Sequence, residues 1–210
     1  MQNLNCNFFD FRDKSLSSCF SCEFYYENDI EKLRTIIDTL ETMNYFRGAI
    51  SDVIQCHKYN SFIANSPINN IFCSKNERIR TINLDAEEIF EEGCLRSIND
   101  FISLPLFNER SRRMSISNWT DSELAYHVLI DDSDYCLWQY KKTDHTSEDW
   151  YIAFARTIML MNDILIKNGY CDQIYFEYGD NDSTAVILTK EMFQYLAESN
   201  IIGNRIVTFQ

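Results

Sequence analysis

The stretch Leu124–Tyr140, LAYHVLIDDSDYCLWQY, decides how the second half of this chain folds. Leu124, Tyr126, Val128 and Ile130 alternate with their neighbours, and Tyr135, Leu137 and Gln139 alternate with Cys136, Trp138 and Tyr140. Period-two alternation is the pattern of a strand, because successive side chains point to opposite faces of a sheet. Asp131, Asp132 and Asp134 crowd the join between the two runs, so the stretch reads as a hairpin with an acidic turn. One signal competes: Thr120 and Glu123 stand at capping-box spacing, which would make 121–127 helical.

Working outward, Thr146 and Asp149 form a box-like cap before WYIAFARTIMLMNDILIKNG (150–169). That run is apolar on nearly every side, which predicts a central helix over about 148–168, buried on most of its surface. Lys167 and Gly169 close it. QIYFEY (173–178) and TAVIL (184–188) then flank GDNDS, a second acidic hairpin turn. Thr189 can cap a helix over 190–200, and RIVTF (205–209) reads as a closing edge strand.

The first half is more helical. FFDF and CEFYY, within residues 1–27, are aromatic patches. Asn28 or Asp29 caps a helix over 29–43, whose apolar residues Ile30, Leu33, Ile37, Leu40 and Met43 recur at helical spacing. A further helical turn falls within 46–57, NSPINN (65–70) reads as a loop, and ERIRTINL (77–84) has strand character. Asp85 and Glu88 form a capping box for a helix over 86–103, with Ile89, Phe90, Leu95, Ile98, Phe101 and Ile102 on one face and Pro105 beyond its end. NERSRRMSISN (108–118) is polar and reads as a linker or exposed loop. The expected fold is therefore α+β: a mixed or antiparallel sheet of hairpins against several helices. A single domain over 1–210 is expected, with a possible division into a mainly helical 1–107 and a ββαββαβ part over 119–210.

The 210 residues are 45% hydrophobic and 14% aromatic, which supports a real core. Gly (5) and Pro (2) are scarce, against Gly-rich phosphate loops and Pro-rich linkers. The net charge of −13 disfavours direct binding to nucleic acid or to an anionic membrane. No run approaches the ~18 apolar residues of a membrane span. The N-terminal residues lack the basic and apolar regions of a signal peptide, so a cytoplasmic location is expected. Eight cysteines in a chain of this size, without an export signal, read as reduced thiols.

Dedicated chemistry finds little support. Asp180, Asp182 and Thr184 spell the D-x-D-x-T of haloacid-dehalogenase-type phosphotransferases, but they lie between two strand-like runs instead of opening into a helix, and little chain follows them. DDSD lacks the Gly and Glu of an EF-type calcium loop. Cys19 and Cys22 form one C-x-x-C pair where a zinc site wants two, although Cys56 and His57 could complete a set. His57, His127 and His145 provide no nucleophile signature beside any cysteine. No catalytic residue, metal or cofactor is therefore expected. What stands out is charge: thirteen acids and four bases lie between 120 and 182. Asp131, Asp132, Asp134, Asp180 and Asp182 would supply steering charge and Trp138 and Tyr140 aromatic anchors, with Tyr126, Tyr175 and Tyr178 nearby. Both strand pairs are expected to join one sheet, with their acidic tips facing the same way.

The expected function is an acidic inhibitor of a basic protein partner, as bacterial immunity proteins inhibit nuclease-type toxins. Rivals are a phage-type antagonist of a host nuclease, a secretion chaperone, and a Cys- or His-dependent enzyme.

Overall fold

The computed structural model describes residues 27–54, 73–74, 77–122, 124–139, 147–177, 182–199 and 206–208. The elements run α1 (Glu27–Thr42), β1 (Cys73–Ser74), β2 (Glu77–Arg78), β3 (Thr81–Asp85), α2 (Ala86–Glu92), α3 (Leu95–Ile102), α4 (Glu109–Arg112) and β4 (Ile116–Thr120). They continue with β5 (Ala125–Ile130), β6 (Ser133–Gln139), α5 (Ser147–Lys167), β7 (Asp172–Glu177), β8 (Asp182–Thr189), α6 (Lys190–Glu198) and β9 (Ile206–Val207). A helical turn also occupies 51–54. The fold is α+β, and every strand pairing among the described residues is antiparallel.

The two expected hairpins form, but not in one sheet. β5–β6 joins β4 in a three-stranded sheet ordered β4-β5-β6. β7–β8 joins β3 and β9 in a four-stranded sheet ordered β3-β8-β7-β9. The inference that the two acidic tips share a sheet end is corrected accordingly.

The four-stranded sheet is covered on both faces, which explains the unbroken apolar run of β8. Ala185 and Ile187 join a large core with Ile82, Leu84, Ile174 and Phe176. Val186 and Leu188 point the other way, into a smaller core with Ile36, Ile37 and Leu40 of α1 and Met192 and Leu196 of α6. A strand buried on both sides loses the polar half of its alternation. α5 fills the large core between the two sheets: Ala153, Phe154, Ile158, Met161, Ile164 and Leu165 meet residues of the four-stranded sheet and Val128, Ile130 and Leu137 of the three-stranded one. Burial on two sides is why its sequence is apolar almost all round. Its remaining stripe leaves Tyr151, Met159 and Ile166 exposed.

Local signals that rest on neighbouring residues are met. Asp85 Oδ1 accepts from Glu88 N at 2.9 Å and caps α2. Thr189 Oγ1 accepts from Met192 N at 3.2 Å and caps α6. The competing helix over 121–127 is absent, since Ala125–Ile130 is strand. The polar segment 108–118 holds α4 and the start of β4, an edge strand whose residues are largely exposed.

The helix expected over 86–103 is two helices. Gly93, with φ +89°, separates α2 from α3 in a conformation that L side chains avoid. A Cβ there would stand 2.4 Å from Tyr126 Oη and 2.8 Å from its ring. The ring has nowhere to retreat, being stacked on Trp138 at 4.2 Å. Gly93→Ala is expected to lower stability by about 1–3 kcal/mol, from backbone strain and overpacking together. A midpoint shift in urea unfolding, with unchanged slope, would show it.

A candidate binding face on the three-stranded sheet

Register decides what this sheet presents. Ile130, Val128 and Tyr126 of β5 face the core, so Leu129 and His127 face outward. Their neighbours on the outer face are Ser117 and Trp119 of β4, and Asp134 and Cys136 of β6. The result is a face with one large aromatic ring among carboxylates. Trp119 is 46% exposed, and its ring lies flat on His127 at 4.1 Å between centroids.

His127 has a carboxylate facing each ring nitrogen. Its Nδ1 lies 3.2 Å from Asp134 Oδ2, and its Nε2 lies 3.6 Å from Asp121 Oδ2. Asp121 is itself fixed, because its Oδ1 accepts from Ala125 N at 2.8 Å in the turn joining β4 to β5. Asp134 and Asp121 thus flank the imidazole from two strands' ends, while Trp119 covers its ring.

The acidic turn divides its labour. Asp131 sits at φ +49°, a region Asp tolerates better than most residues. Its Oδ1 accepts from Ser115 N at 2.9 Å, and its own N donates to Ser115 O at 2.8 Å, which fastens the turn to the approach of β4. Asp134 positions His127. Asp132 stands exposed at the tip. Part of the charge density is therefore structural, and part is displayed.

The remaining expected site residues fare differently. Trp138 is 3% exposed, stacked on Tyr126 and tilted against Phe90 at 6.3 Å. It is a core residue, and its assignment as a surface anchor is corrected. The cause is a bulge: Tyr126 pairs with Trp138 but His127 pairs with Cys136, so Leu137 is the extra residue on β6. One inserted residue moves everything beyond it to the opposite face. Tyr126 and Tyr175 are buried as well. Asp182 begins β8 in the other sheet, opposite Asp85. Tyr140, Tyr178 and Asp180 lie outside the described residues, as do Cys19, Cys22, Cys56, His57 and His145. Trp119 was missed because ISNWT has too few apolar residues to signal a strand. The exposed ring beside an acidic hairpin was the only available hint.

Behind the tip, Tyr135 faces α5. Tyr135 Oη donates to Asp163 Oδ2 at 2.5 Å, and Lys167 Nζ donates to Tyr135 Oη and pairs with Asp163 at 2.9 Å. Burial disfavours the charge on Asp163, but the hydrogen bonds from Tyr135 and Lys167 and the lysine's charge outweigh it and hold the carboxyl below its usual range. The Tyr135 and Asp163 oxygens push Lys167 upward. The sign follows from linkage: the Asp163 contribution is lost as pH falls through its lowered pKa, and the Lys167 contribution as pH rises through its raised one. This trio and a neighbouring cleft of about 620 Å³, lined in part by Asp131, Arg113 and Lys167, hold cations already matched to acids.

Comparison with protein-family models, curated proteins and solved structures found no match. Among the described residues, no group of three or more His, Cys, Asp or Glu is placed to hold a metal ion. No described helix is long and apolar enough to cross a membrane.

Proposed function

We propose that the protein is an acidic protein-binding inhibitor, of the immunity type, that covers the basic active site of a nuclease-like toxin. The observation that carries this reading is the outer face of the three-stranded sheet. Trp119 offers a rigid, exposed ring stacked on His127, Asp121 and Asp134 flank that histidine, and Asp131 and Asp132 add negative charge at the hairpin tip of the same sheet. Aromatic rings are frequent anchors at interfaces, while surrounding charge steers a basic partner and sets the salt dependence of association. Carboxylates displayed this way stand in for the phosphates that a nuclease site binds.

The test is affinity capture of the tagged full chain from its host, with salt-graded elution, followed by assay of the captured protein. The reading expects a basic nuclease released by moderate salt, whose activity falls to nothing at one equivalent of this protein. A captured partner that is acidic, or whose release is insensitive to salt, overturns it. A host-encoded nuclease as partner would turn the reading to the antagonist.

One observation favours the enzyme reading: Cys136 is exposed and directly opposite His127 in register. No hydrogen bond links the two; Asp134 takes the imidazole Nδ1 instead, and Nε2 faces Asp121. Alkylation separates the readings. At about pH 8, exposed Cys136 and Cys171 are expected to react in the native protein, whereas Cys94 is spared until unfolding, because burial pushes its thiol up to about 11. Partner binding that survives modification of Cys136 by a small reagent argues against thiol catalysis, and peptide mass spectrometry reports which thiols reacted.

A further inference from the structure

We propose that the open edge of β4 takes up an extended, basic segment of the partner by strand addition; the identity of that partner rests on the inhibitor reading, while the edge stands on the geometry of the sheet. Ser115 O accepts from Asp131 N at 2.8 Å, and Asp121 N donates to Ala125 O at 3.0 Å. Both contacts continue the register in which β4 pairs with β5. Antiparallel strands turn the backbone groups of alternate residues toward each other. Ser117 and Trp119 therefore direct their N–H and C=O groups to β5, and Ile116, Asn118 and Thr120 direct theirs away from it. Among the described residues, no hydrogen bond reaches those outward backbone groups. Four of the five β4 residues are exposed, and the strand has no Lys, Arg, Pro or bulge, the devices that blunt a free edge. β6, at the opposite edge of the same sheet, is blunted: it carries the bulge at Leu137, whose carbonyl accepts from Arg156.

Side-chain placement and charge select the occupant. Trp119 bonds toward β5, so a residue opposite it on an added antiparallel strand forms a non-hydrogen-bonded pair, with Cα atoms about 4.5 Å apart and side chains at their closest. An arginine or lysine there lies over the exposed indole, cation on π face. Residues opposite Ile116, Asn118 and Thr120 supply the main-chain hydrogen bonds, so affinity comes from the backbone and specificity from alternate side chains. Both ends of β4 are acidic: Asp121 follows Thr120, and the Asp131–Asp132 tip is fastened to Ser115. The bases just upstream are engaged within the chain, Arg113 with Glu109 and Arg112 with Leu104 O. A second copy fits this edge less well. It would bring together two chains of net charge −13, and two-fold pairing about Asn118 would set Trp119 against Ser117.

The experiment is amide hydrogen exchange, read by NMR on the labelled full chain with an acetylated, amidated heptapeptide of alternating valine and arginine. Near saturation, exchange at Ile116, Asn118 and Thr120 is expected to slow about tenfold, while Ser117 and Trp119, already bonded to β5, change little. N-methylating the valines removes the N–H groups that would bond to the edge and is expected to abolish the effect. Glutamate in place of arginine should abolish it too. Thr120→Pro removes an outward N–H but no bond to β5, so peptide binding should weaken about tenfold with the urea midpoint held. The N-methyl comparison uses the unaltered chain and decides the matter even if the proline variant does not fold. Equal slowing by the N-methylated or glutamate peptide, slowing without the alternation, or no binding of the arginine peptide would overturn strand addition. Slowed exchange at the same amides that grows with protein concentration, without peptide, would give the edge to a second copy and also overturn it. A salt-released nuclease captured equally well by folded Thr120→Pro sinks strand addition and spares the inhibitor reading. Peptide binding at the edge without any basic partner in the host does the reverse.

Discussion

Asp172→Ala is expected to lower the free energy of unfolding by about 3–5 kcal/mol, the usual cost of stranding one member of a buried ion pair. Asp172 is 2% exposed at the start of β7. Its Oδ1 accepts from Arg80 Nη1 at 2.6 Å and its Oδ2 from Arg47 Nη2 at 2.9 Å. Arg80 is 1% exposed just before β3, and it also donates to the carbonyls of Tyr45, Asn44 and Ile187. Its guanidinium lies over the Tyr45 ring. One side chain thus fastens the turn after α1 to three strands of the four-stranded sheet. Without the carboxylate, the guanidinium keeps its charge, because arginine does not deprotonate in a protein. Against a typical total stability of about 5–15 kcal/mol, that loss brings the chain close to unfolding at ordinary temperature. Replacing both partners by apolar residues, Arg80→Met with Asp172→Leu, should recover much of the loss, since the charge and its partner then leave together. Urea unfolding of the three proteins gives the answer. A single-variant loss below about 1 kcal/mol, the scale of an ordinary exposed pair, would mean that water reaches the site and the burial argument fails.

That ion pair also marks the limit of what the sequence could tell. Arg80 and Asp172 stand 92 residues apart, and nothing local in either stretch names the other. The same holds for β3 and β8, whose pairing separates the two hairpins into different sheets. Features set by close neighbours were readable. Asp85 and Thr189 cap the helices their spacing announced, and the order ββαββαβ follows from runs of strand and helix periodicity. The all-round apolar character of α5 announced burial between two layers, although not which layers. The acidic turn of β5–β6 was read correctly as a turn, yet its face was not, because a bulge at Leu137 leaves no mark in an alternation count. Trp138 therefore looked like a neighbour of Cys136 on one face, and it is instead a neighbour of Tyr126 in the core. Edge strand β4 hid for the opposite reason. Its exposed residues lack the apolar half of the pattern, so the exposed ring of Trp119 fell beside a segment read as loop.

Trp119→Ala is expected to weaken partner binding by about 2 kcal/mol or more, roughly thirtyfold, almost wholly through faster dissociation. The ring is a good site to test because it is nearly half exposed and stacked on His127 from outside. Its removal opens no core cavity, so stability should stay within about 0.5 kcal/mol, and the lost affinity can be assigned to the interface. Asp132→Lys supplies the kinetic contrast. Asp131 and Asp134 are poor choices for charge reversal, since one fastens the turn to Ser115 and the other holds His127. Asp132 stands exposed at the tip, so reversing it should slow association severalfold at low salt, leave dissociation nearly unchanged and lose its effect as salt rises. Stopped-flow association and dissociation rates across a salt series measure both terms. If Trp119→Ala left dissociation untouched while Asp132→Lys still slowed association, the charge would act only at encounter. The exposed stripe of Tyr151, Met159 and Ile166 on α5 would then be the apolar surface to examine next. If neither substitution changed a rate, the outer face of the three-stranded sheet would be excluded as the contact. Its aspartates would then serve only to close the turn and orient a histidine.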